Sequence, residues 1–294
     1  MKEDSPAHSS LGQTLASLQS SGLERLDAQL LLLHLLGKPA NQRGWLLSHD
    51  DEPLRPDIAA ALEALVQRRL AGEPLAYLTG RKEFFGLDLQ VDARVLVPRP
   101  DTETLVNWAL ELLDGEQRVL DLGTGSGAIA LALKASKPAL HVHATDYSAE
   151  ALAVAQVNAE KLKLDVSLHR GAWFAALPAT APRFDCIVSN PPYIAELDAH
   201  LAALTFEPAQ ALTSGPDGLD DLRQIITQAP RHLAPGGWLL LEHGYDQAQA
   251  VRTLLREAGF VQVQSRQDLA NIARCSGGQL IPSPQHDPDH DQPH

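Results

Sequence analysis

Two short runs in this sequence carry residue types suited to chemistry rather than packing. The first is Asp121-Leu122-Gly123-Thr124-Gly125-Ser126-Gly127. Glycine lets a chain turn sharply and lets a ligand approach the backbone where a Cβ would otherwise stand. Asp146 follows about 20 residues later, the distance at which an acidic side chain ending the next strand accepts both hydroxyls of a ribose. Loop and acid together describe a seat for an adenosine-containing cofactor. Gly123, Gly125 and Ala128 also satisfy the loose dinucleotide pattern G-x-G-x-x-G/A. The loop alone therefore leaves the choice of adenosine cofactor open, nicotinamide included.

The second run, Asn190-Pro191-Pro192-Tyr193, closes the apolar stretch Phe184-Asp185-Cys186-Ile187-Val188-Ser189. Two prolines fix φ and remove two backbone donors, which leaves carbonyls free in a stiff loop. Each proline also holds the residue before it extended. The Asn190 side chain adds a carbonyl that accepts from an NH₂ group. A planar amide or exocyclic amine thus finds two acceptors, Asn190 Oδ1 and the Pro191 carbonyl, and a ring, Tyr193, to stack on. Taken alone, the run also reads as a proline turn with a packed tyrosine. Its place after the glycine loop favours the binding reading.

These residues need a frame that brings strand ends together. Strand-like segments at 118–122, 141–145, 166–168, 184–188, 238–241 and 261–263 alternate with helical patterns to about 135 and over 149–162, 219–233 and 247–258. The alternation predicts an α/β fold on a parallel sheet, with the ligand site at the carboxyl ends of its strands. Upstream, 83–91 and 95–97 read as a β-hairpin connector. Pro98-Arg99-Pro100 breaks regular structure before a helix expected from Thr102 or Glu103. Residues 9–72 read as helices, with Leu23, Leu26, Leu30 and Leu33 at helical spacing and a second amphipathic stretch from Asp57 to Leu70. The resulting division is a helical domain over 1–75, a connector over 76–100, an α/β domain over 101–282 and a disordered tail over 283–294 rich in Pro, Asp and His.

The chain of 294 residues fits roughly two domains. Lys and Arg total 24 against 37 Asp and Glu, a formal net charge of −13. Gripping a phosphate backbone needs clustered positive charge, so nucleic acid is disfavoured as a partner. No apolar run approaches the ~20 residues of a membrane span, and the first residues lack the apolar core of a signal peptide. Cys186 and Cys275 stand far apart, which gives neither a disulfide framework nor a zinc spacing. The expectation is a soluble, reduced, cytoplasmic protein with no metal site and no membrane partner.

A glycine loop of this form with Asn-Pro-Pro-Tyr resembles the class I S-adenosylmethionine-dependent methyltransferases that act on planar NH₂ nitrogens. The likeness narrows on Pro74-Leu75-Ala76-Tyr77-Leu78-Thr79-Gly80, on Glu83-Phe84-Phe85-Gly86-Leu87 and on Val97-Pro98-Arg99-Pro100-Asp101-Thr102-Glu103. Glu207-Pro208, Ala211-Leu212, Gly215, Asp217, Gly218 and Leu219 extend it, as does Leu26-Asp27-Ala28-Gln29-Leu30-Leu31. Over about residues 20 to 280 the chain is similar to the HemK/PrmC family. That resemblance implies methylation of the side-chain nitrogen (N5) of the glutamine in the Gly-Gly-Gln motif of peptide chain release factors. It also implies a seven-stranded, Rossmann-like methyltransferase domain joined by a β-hairpin to a small N-terminal helical domain concerned with substrate recognition. Carried over, Gly123, Thr124, Gly125, Ser126, Gly127, Asp146 and Asn190 hold S-adenosylmethionine, with Trp173, in the loop after the third strand, beside the adenine. Asn190, Pro191, Pro192 and Tyr193 hold the substrate glutamine, Asn190 at the meeting point of the two ligands. Asn190, Pro191 and Tyr193 are the expected catalytic residues.

Leu222 stands where the family pattern leads one to expect an aromatic residue. Gly277-Gly278-Gln279 echoes the substrate motif by chance. Arg99 and Glu103 are expected either to pair or to line the peptide channel. Asp185, His143 and His243 read as structural, and Glu242-His243 is set aside as acid–base equipment because no partner lies at a useful spacing. The nearest rivals are an adenine-N6 nucleic-acid methyltransferase, a nicotinamide oxidoreductase, and a binding module that no longer turns over.

Overall fold

The computed structural model describes residues 9–281. The expected tail and the N-terminal residues judged for a signal peptide lie outside them. The chain forms two compact units, Met1–Arg81 and Lys82–His294.

The first unit is helical: α1 (Leu11–Ser20), α2 (Arg25–Leu35), α3 (Arg43–Ser48), α4 (Pro56–Leu70) and α5 (Leu75–Thr79). Ser10 and Gln13 close a reciprocal capping box on α1, and Pro56 opens α4 where its missing N–H costs nothing. The buried face of α2 is Ala28, Leu31, Leu32 and Leu33, whereas Leu26 is exposed, so the expected Leu23–Leu26–Leu30–Leu33 stripe is only partly right. The reason is that α2 is the central helix, packed against α1, α3, α4 and α5, and only a narrow face meets solvent. Asp27 of α2 accepts from Arg69 of α4 at 2.6 Å, a paired charge at the edge of this core. The fifth helix, α5, occupies part of the stretch assigned from sequence to the connector.

A hairpin follows, β1 (Arg81–Phe84) and β2 (Leu87–Gln90), all of it but Arg81 within the second unit. Phe85 and Gly86 turn with φ of 51° and 77°, the two positive values that a tight hairpin turn requires. The hairpin therefore closes inside the segment read as one strand. Val95 and Val97 are buried without joining a strand, which corrects the expected pairing of 83–91 with 95–97.

The main sheet has seven strands: β3 (Arg118–Leu122), β4 (His141–Asp146), β5 (Ser167–Arg170), β6 (Phe184–Ser189), β7 (Leu233–Glu242), β8 (Phe260–Gln267) and β9 (Ala273–Leu280). Their order is β5-β4-β3-β6-β7-β9-β8. The strands β5 to β7 of this order run parallel, but β9 is antiparallel to both β7 and β8, so the expected all-parallel sheet is corrected to a mixed one. β9 is not among the strand-like segments read from the sequence, and its run carries the paired glycines Gly277-Gly278, which weaken a strand pattern. Glycine is needed there for close packing, since a Cβ on Gly277 would lie 2.6 Å from the Leu239 carbonyl. β7 begins earlier than expected, and the helix before it, α9 (Asp220–Gln228), ends earlier. The intervening Ala234-Pro235-Gly236-Gly237 is taken up by an irregularity in the β6–β7 register.

Alternation along each strand divides the core. Val119, Val188 and Leu240 face a layer built on α6 (Glu103–Leu112), α7 (Ala128–Ser136) and α8 (Ala149–Leu162). Leu120, Ile187, Leu239 and Leu241 face α9 and α10 (Ala248–Glu257). Leu222, the departure from the family pattern, is fully buried in that second layer. The strand order reverses between β3 and β6, and ligands of open α/β sheets bind in the crevice at such a switch point.

One buried side chain ties the hairpin to the loop after β3. Asn158 of α8 accepts from the Gln90 N–H at 2.7 Å and donates to the carbonyls of Gln90 at 3.0 Å and Ser126 at 2.9 Å. Asn158→Ala strands these groups away from water and is expected to cost about 2–4 kcal/mol. Urea denaturation measures this, and a loss well under 1 kcal/mol would mean that water replaces the amide.

Candidate active site

Leu122 of β3 pairs with Ser189 of β6, so the two motifs leave the sheet from adjacent positions. Ser189 Oγ donates to the Leu122 carbonyl at 2.7 Å and locks that junction. After β3 the chain turns through Gly123, Gly125 and Gly127 with φ of 71°, 57° and 85°. The N–H groups of Gly123 and Thr124 both donate to the Thr145 carbonyl at 2.9 Å, which pins the loop to the end of β4. Asp146, the last residue of β4, accepts from the Gly125 N–H and from the Ser148 N–H, each at 2.9 Å. Burial raises its pKa, and those two bonds work against the rise.

Gly123, Gly125, Asp146, Trp173 and Asn190 line one cavity of about 260 Å³. Trp173 begins a 3₁₀ turn after β5, and its ring lies where a Cβ on Gly123 would stand 3.1 Å away. Tyr147, exposed at the same mouth, was not singled out in the sequence, although it directly follows Asp146. Thr124, Ser126 and Gly127 are not among the lining residues. Thr124 Oγ1 donates to Asp121 Oδ2 at 2.6 Å and Ser126 is buried, so both shape the loop from behind. Buried Asp121 has its pKa raised to about 7 by desolvation.

A second cavity of about 410 Å³ is lined by Leu96, Arg99, Asn190, Tyr193, Ile194 and Glu207, among others. Asn190 therefore faces both spaces. Pro192 lines the first cavity and Tyr193 the second, while Pro191, which precedes both, is buried and lines neither. Tyr193 has its pKa pushed up to about 12 by burial, so the phenol stays neutral. Gln247, which sequence reasoning missed, donates from Nε2 to the Tyr193 carbonyl at 2.9 Å and anchors the loop. Gly218 permits this closeness, because a Cβ there would lie 2.3 Å from the same carbonyl.

Arg99 pairs with Glu207 rather than Glu103, and Glu207 Oε2 also accepts from the Val97 N–H at 3.1 Å. Glu103 instead accepts from the Phe85 N–H at 3.1 Å. Asp185 accepts from the Arg118 N–H at 2.8 Å, and His143 stacks on His169. His243 is fully buried, with Nε2 2.8 Å from Ser276 Oγ. All three lie outside both linings. Gln279 sits in β9 and donates to the Gly236 carbonyl at 2.8 Å, held in the sheet as a structural residue. Among the described residues no cluster of three or more His, Cys, Asp or Glu could hold a metal ion.

Residues 101–268 match the Methyltransferase small domain family, and residues 11–80 match the PrmC N-terminal domain. A methyltransferase from Pyrococcus furiosus shares the fold, with a TM-score of 0.53 at 21% identity over 74% of this chain and 98% of that one. The Thermus thermophilus 16S rRNA N2 G1207 methyltransferase, solved with AdoMet and guanosine, aligns with a TM-score of 0.51 at 21% identity over 68% of this chain and 49% of that one. Fold and family match together make this chain a methyltransferase. Over 267 residues it is 54% identical to the release factor glutamine methyltransferase of Bordetella pertussis, covering 90% of this chain and 97% of that protein. The Xylella fastidiosa protein of the same name is 50% identical over 90% of this chain and 98% of its own length. The chain belongs to the release factor glutamine methyltransferase family.

Proposed function

We propose that this chain methylates the N5 amide nitrogen of the glutamine in the Gly-Gly-Gln motif of peptide chain release factors, using S-adenosylmethionine. The observation that carries the reading is Asn190, the polar side chain common to the linings of both cavities. One cavity suits the methyl donor and the other suits a side-chain amide.

The first cavity fits the donor on two counts. Gly123 leaves open the space that a Cβ would fill beneath the Trp173 ring. An ionised carboxylate offers about four acceptor sites, and Asp146 spends two on backbone, which leaves two for a ribose diol. Gly123, Gly125, Asp146 and Trp173 are the residues assigned to hold it, with Thr124, Ser126 and Gly127 shaping the loop. When bound, S-adenosylmethionine supplies an electrophilic methyl group on a sulfonium.

The rest of the chemistry falls to this chain. An amide nitrogen is a poor nucleophile because resonance spreads its lone pair. Asn190 Oδ1 and the Pro191 carbonyl accept from the substrate NH₂ and aim its nitrogen at the first cavity. Alignment of this kind recovers ~7–11 kcal/mol of barrier. The same two acceptors favour positive charge building on that nitrogen, as an oxyanion hole favours the opposite sign. Tyr193, held neutral, offers its ring to the amide plane rather than a base to its proton. Pro192 stiffens the loop.

The helical domain, taken as 1–75 with a connector over 76–100, is assigned to recognition of the release factor, and 101–282 to catalysis. Two buried free cysteines suit a reduced, cytoplasmic setting. Among the described residues no helix is long and apolar enough to cross a membrane. The charge of −13 weighs against a nucleic-acid substrate.

The test is a transfer assay with labelled S-adenosylmethionine and purified bacterial release factor, run beside a release factor whose motif glutamine is replaced and beside duplex DNA. Label on the intact release factor alone is expected. Label on DNA would hand the site to the adenine reading.

A further inference from the structure

Asn190 has a neighbour on its far side that the reading above leaves without a task. Ser189 of β6 lies opposite Leu241 of β7, so Asn190 and Glu242 come next along two parallel strands. Glu242 is 1% exposed, and its Oε2 is buried with no hydrogen-bond partner. Asn190 Nδ2 donates to Thr102 Oγ1 at 3.3 Å. The Thr102 hydroxyl and the Asn190 amide both face the Glu242 carboxyl and favour its charged form. Neither Thr102 nor Glu242 is among the residues lining the two cavities described above.

A hydroxyl has one hydrogen to give. With Glu242 ionised, the arrangement that satisfies its unpartnered carboxylate has Thr102 turn that hydrogen toward it. Its oxygen must then accept, and the Asn190 NH₂ supplies the donor. Asn190 Oδ1 is thereby turned outward, where a substrate NH₂ meets an acceptor. Once Glu242 is protonated it donates to Thr102 instead, and the Thr102 hydrogen is free to turn to Asn190. The amide then gains by flipping, and the substrate NH₂ meets another NH₂.

We propose that Glu242, acting through the Thr102 hydroxyl, fixes which way the Asn190 amide points and so decides whether the site offers an acceptor to the substrate nitrogen. This rests on the role given to Asn190 under the proposed function. Glu242 and Thr102 are positioning residues. Desolvation raises the Glu242 pKa to about 7, so the chain of bonds runs in the productive direction above that pH and reverses below it. The other groups facing it are Asp101, which pushes the pKa up, and Arg274, which pulls it down. Tyr193 and Cys275 also feel its charge, and burial keeps both neutral.

The test is the pH dependence of kcat on release factor for wild type, Thr102→Val, Thr102→Ser and Glu242→Gln, with cofactor affinity measured for each by calorimetry. Wild type should lose kcat as pH falls through about 7, the ionised form being the active one. Thr102→Val should lower kcat about 10- to 100-fold, the scale of a misaimed reacting group, with KM and cofactor affinity unchanged. Thr102→Ser should restore the rate, and Glu242→Gln should give a low kcat that no longer rises through this range. A wild-type rate in Thr102→Val, or an acid limb surviving in Glu242→Gln, would overturn the proposal. The side-chain NH₂ signals of Asn190 in ¹⁵N-labelled protein give a readout that needs no substrate. They should shift with an apparent pKa near 7 in wild type and stay still in Glu242→Gln. Static wild-type signals would sink the inference by themselves. Moving signals in a protein that transfers no label to release factor would instead support the inference and refute the proposed function.

Discussion

Asn190→Ala is expected to lower kcat by about 10²–10³-fold, the range seen when one preorganised partner of a developing charge is removed. Cofactor affinity should stay near wild type, because the groups assigned to the cofactor's ribose and ring come from Asp146 and Trp173. The truncation removes the acceptor and also leaves Thr102 Oγ1 without the donor that reaches it at 3.3 Å. The backbone of the loop should survive. It is fixed by two prolines, by Gln247 on the Tyr193 carbonyl at 2.9 Å and by the Ile194 N–H on the Leu212 carbonyl at 2.9 Å. Single-turnover transfer and calorimetry separate the two effects. Equal losses in rate and in cofactor affinity would mean that Asn190 serves the first cavity only, and its role at the substrate nitrogen would fall.

Asp146→Ala should show the opposite split. Two charge-assisted bonds to a ribose diol are worth ~1.5–3 kcal/mol each, so the dissociation constant should rise at least about 100-fold. At saturating cofactor, kcat should remain close to wild type. The alanine also frees the Gly125 and Ser148 N–H groups, both now bonded at 2.9 Å, so part of the loss will reflect a looser glycine loop. Asp146→Asn keeps one acceptor and the side-chain shape, and an intermediate affinity is expected. An unchanged dissociation constant in the alanine variant would remove Asp146 from the cofactor site altogether.

The elements that carry these residues differ in how readily their sequence discloses them. β3, β6 and α8 follow from local pattern: short, mostly apolar runs for the strands, and a 3.6-residue period for the helix. β9 does not, because glycines weaken a strand pattern, and only the fold shows the Leu239 carbonyl 2.6 Å from where a Cβ on Gly277 would stand. The hairpin was foreseen, but its turn was misplaced, since Phe85 takes a left-handed conformation that a bulky residue rarely adopts. In α2 a helical period was legible while the buried face was not, because burial there depends on the four helices packed around it.

The candidate site divides along the same line. Residue type and order alone determined the two motifs, the acid at Asp146 and the chemistry they suit, because backbone freedom at glycine, donor loss at proline and acceptor capacity at Asn are properties of the residues themselves. Tertiary structure alone decided that Arg99 takes Glu207 and not Glu103, that Gln247 anchors the loop of Tyr193, and that Glu242 stands beside Asn190. Each pair joins residues far apart along the chain, and for Asn190 and Glu242 it is the β6–β7 register that brings them together. No spacing along the sequence encodes which side chain of one strand end will meet another, whereas the β6–β7 register sets it to the residue.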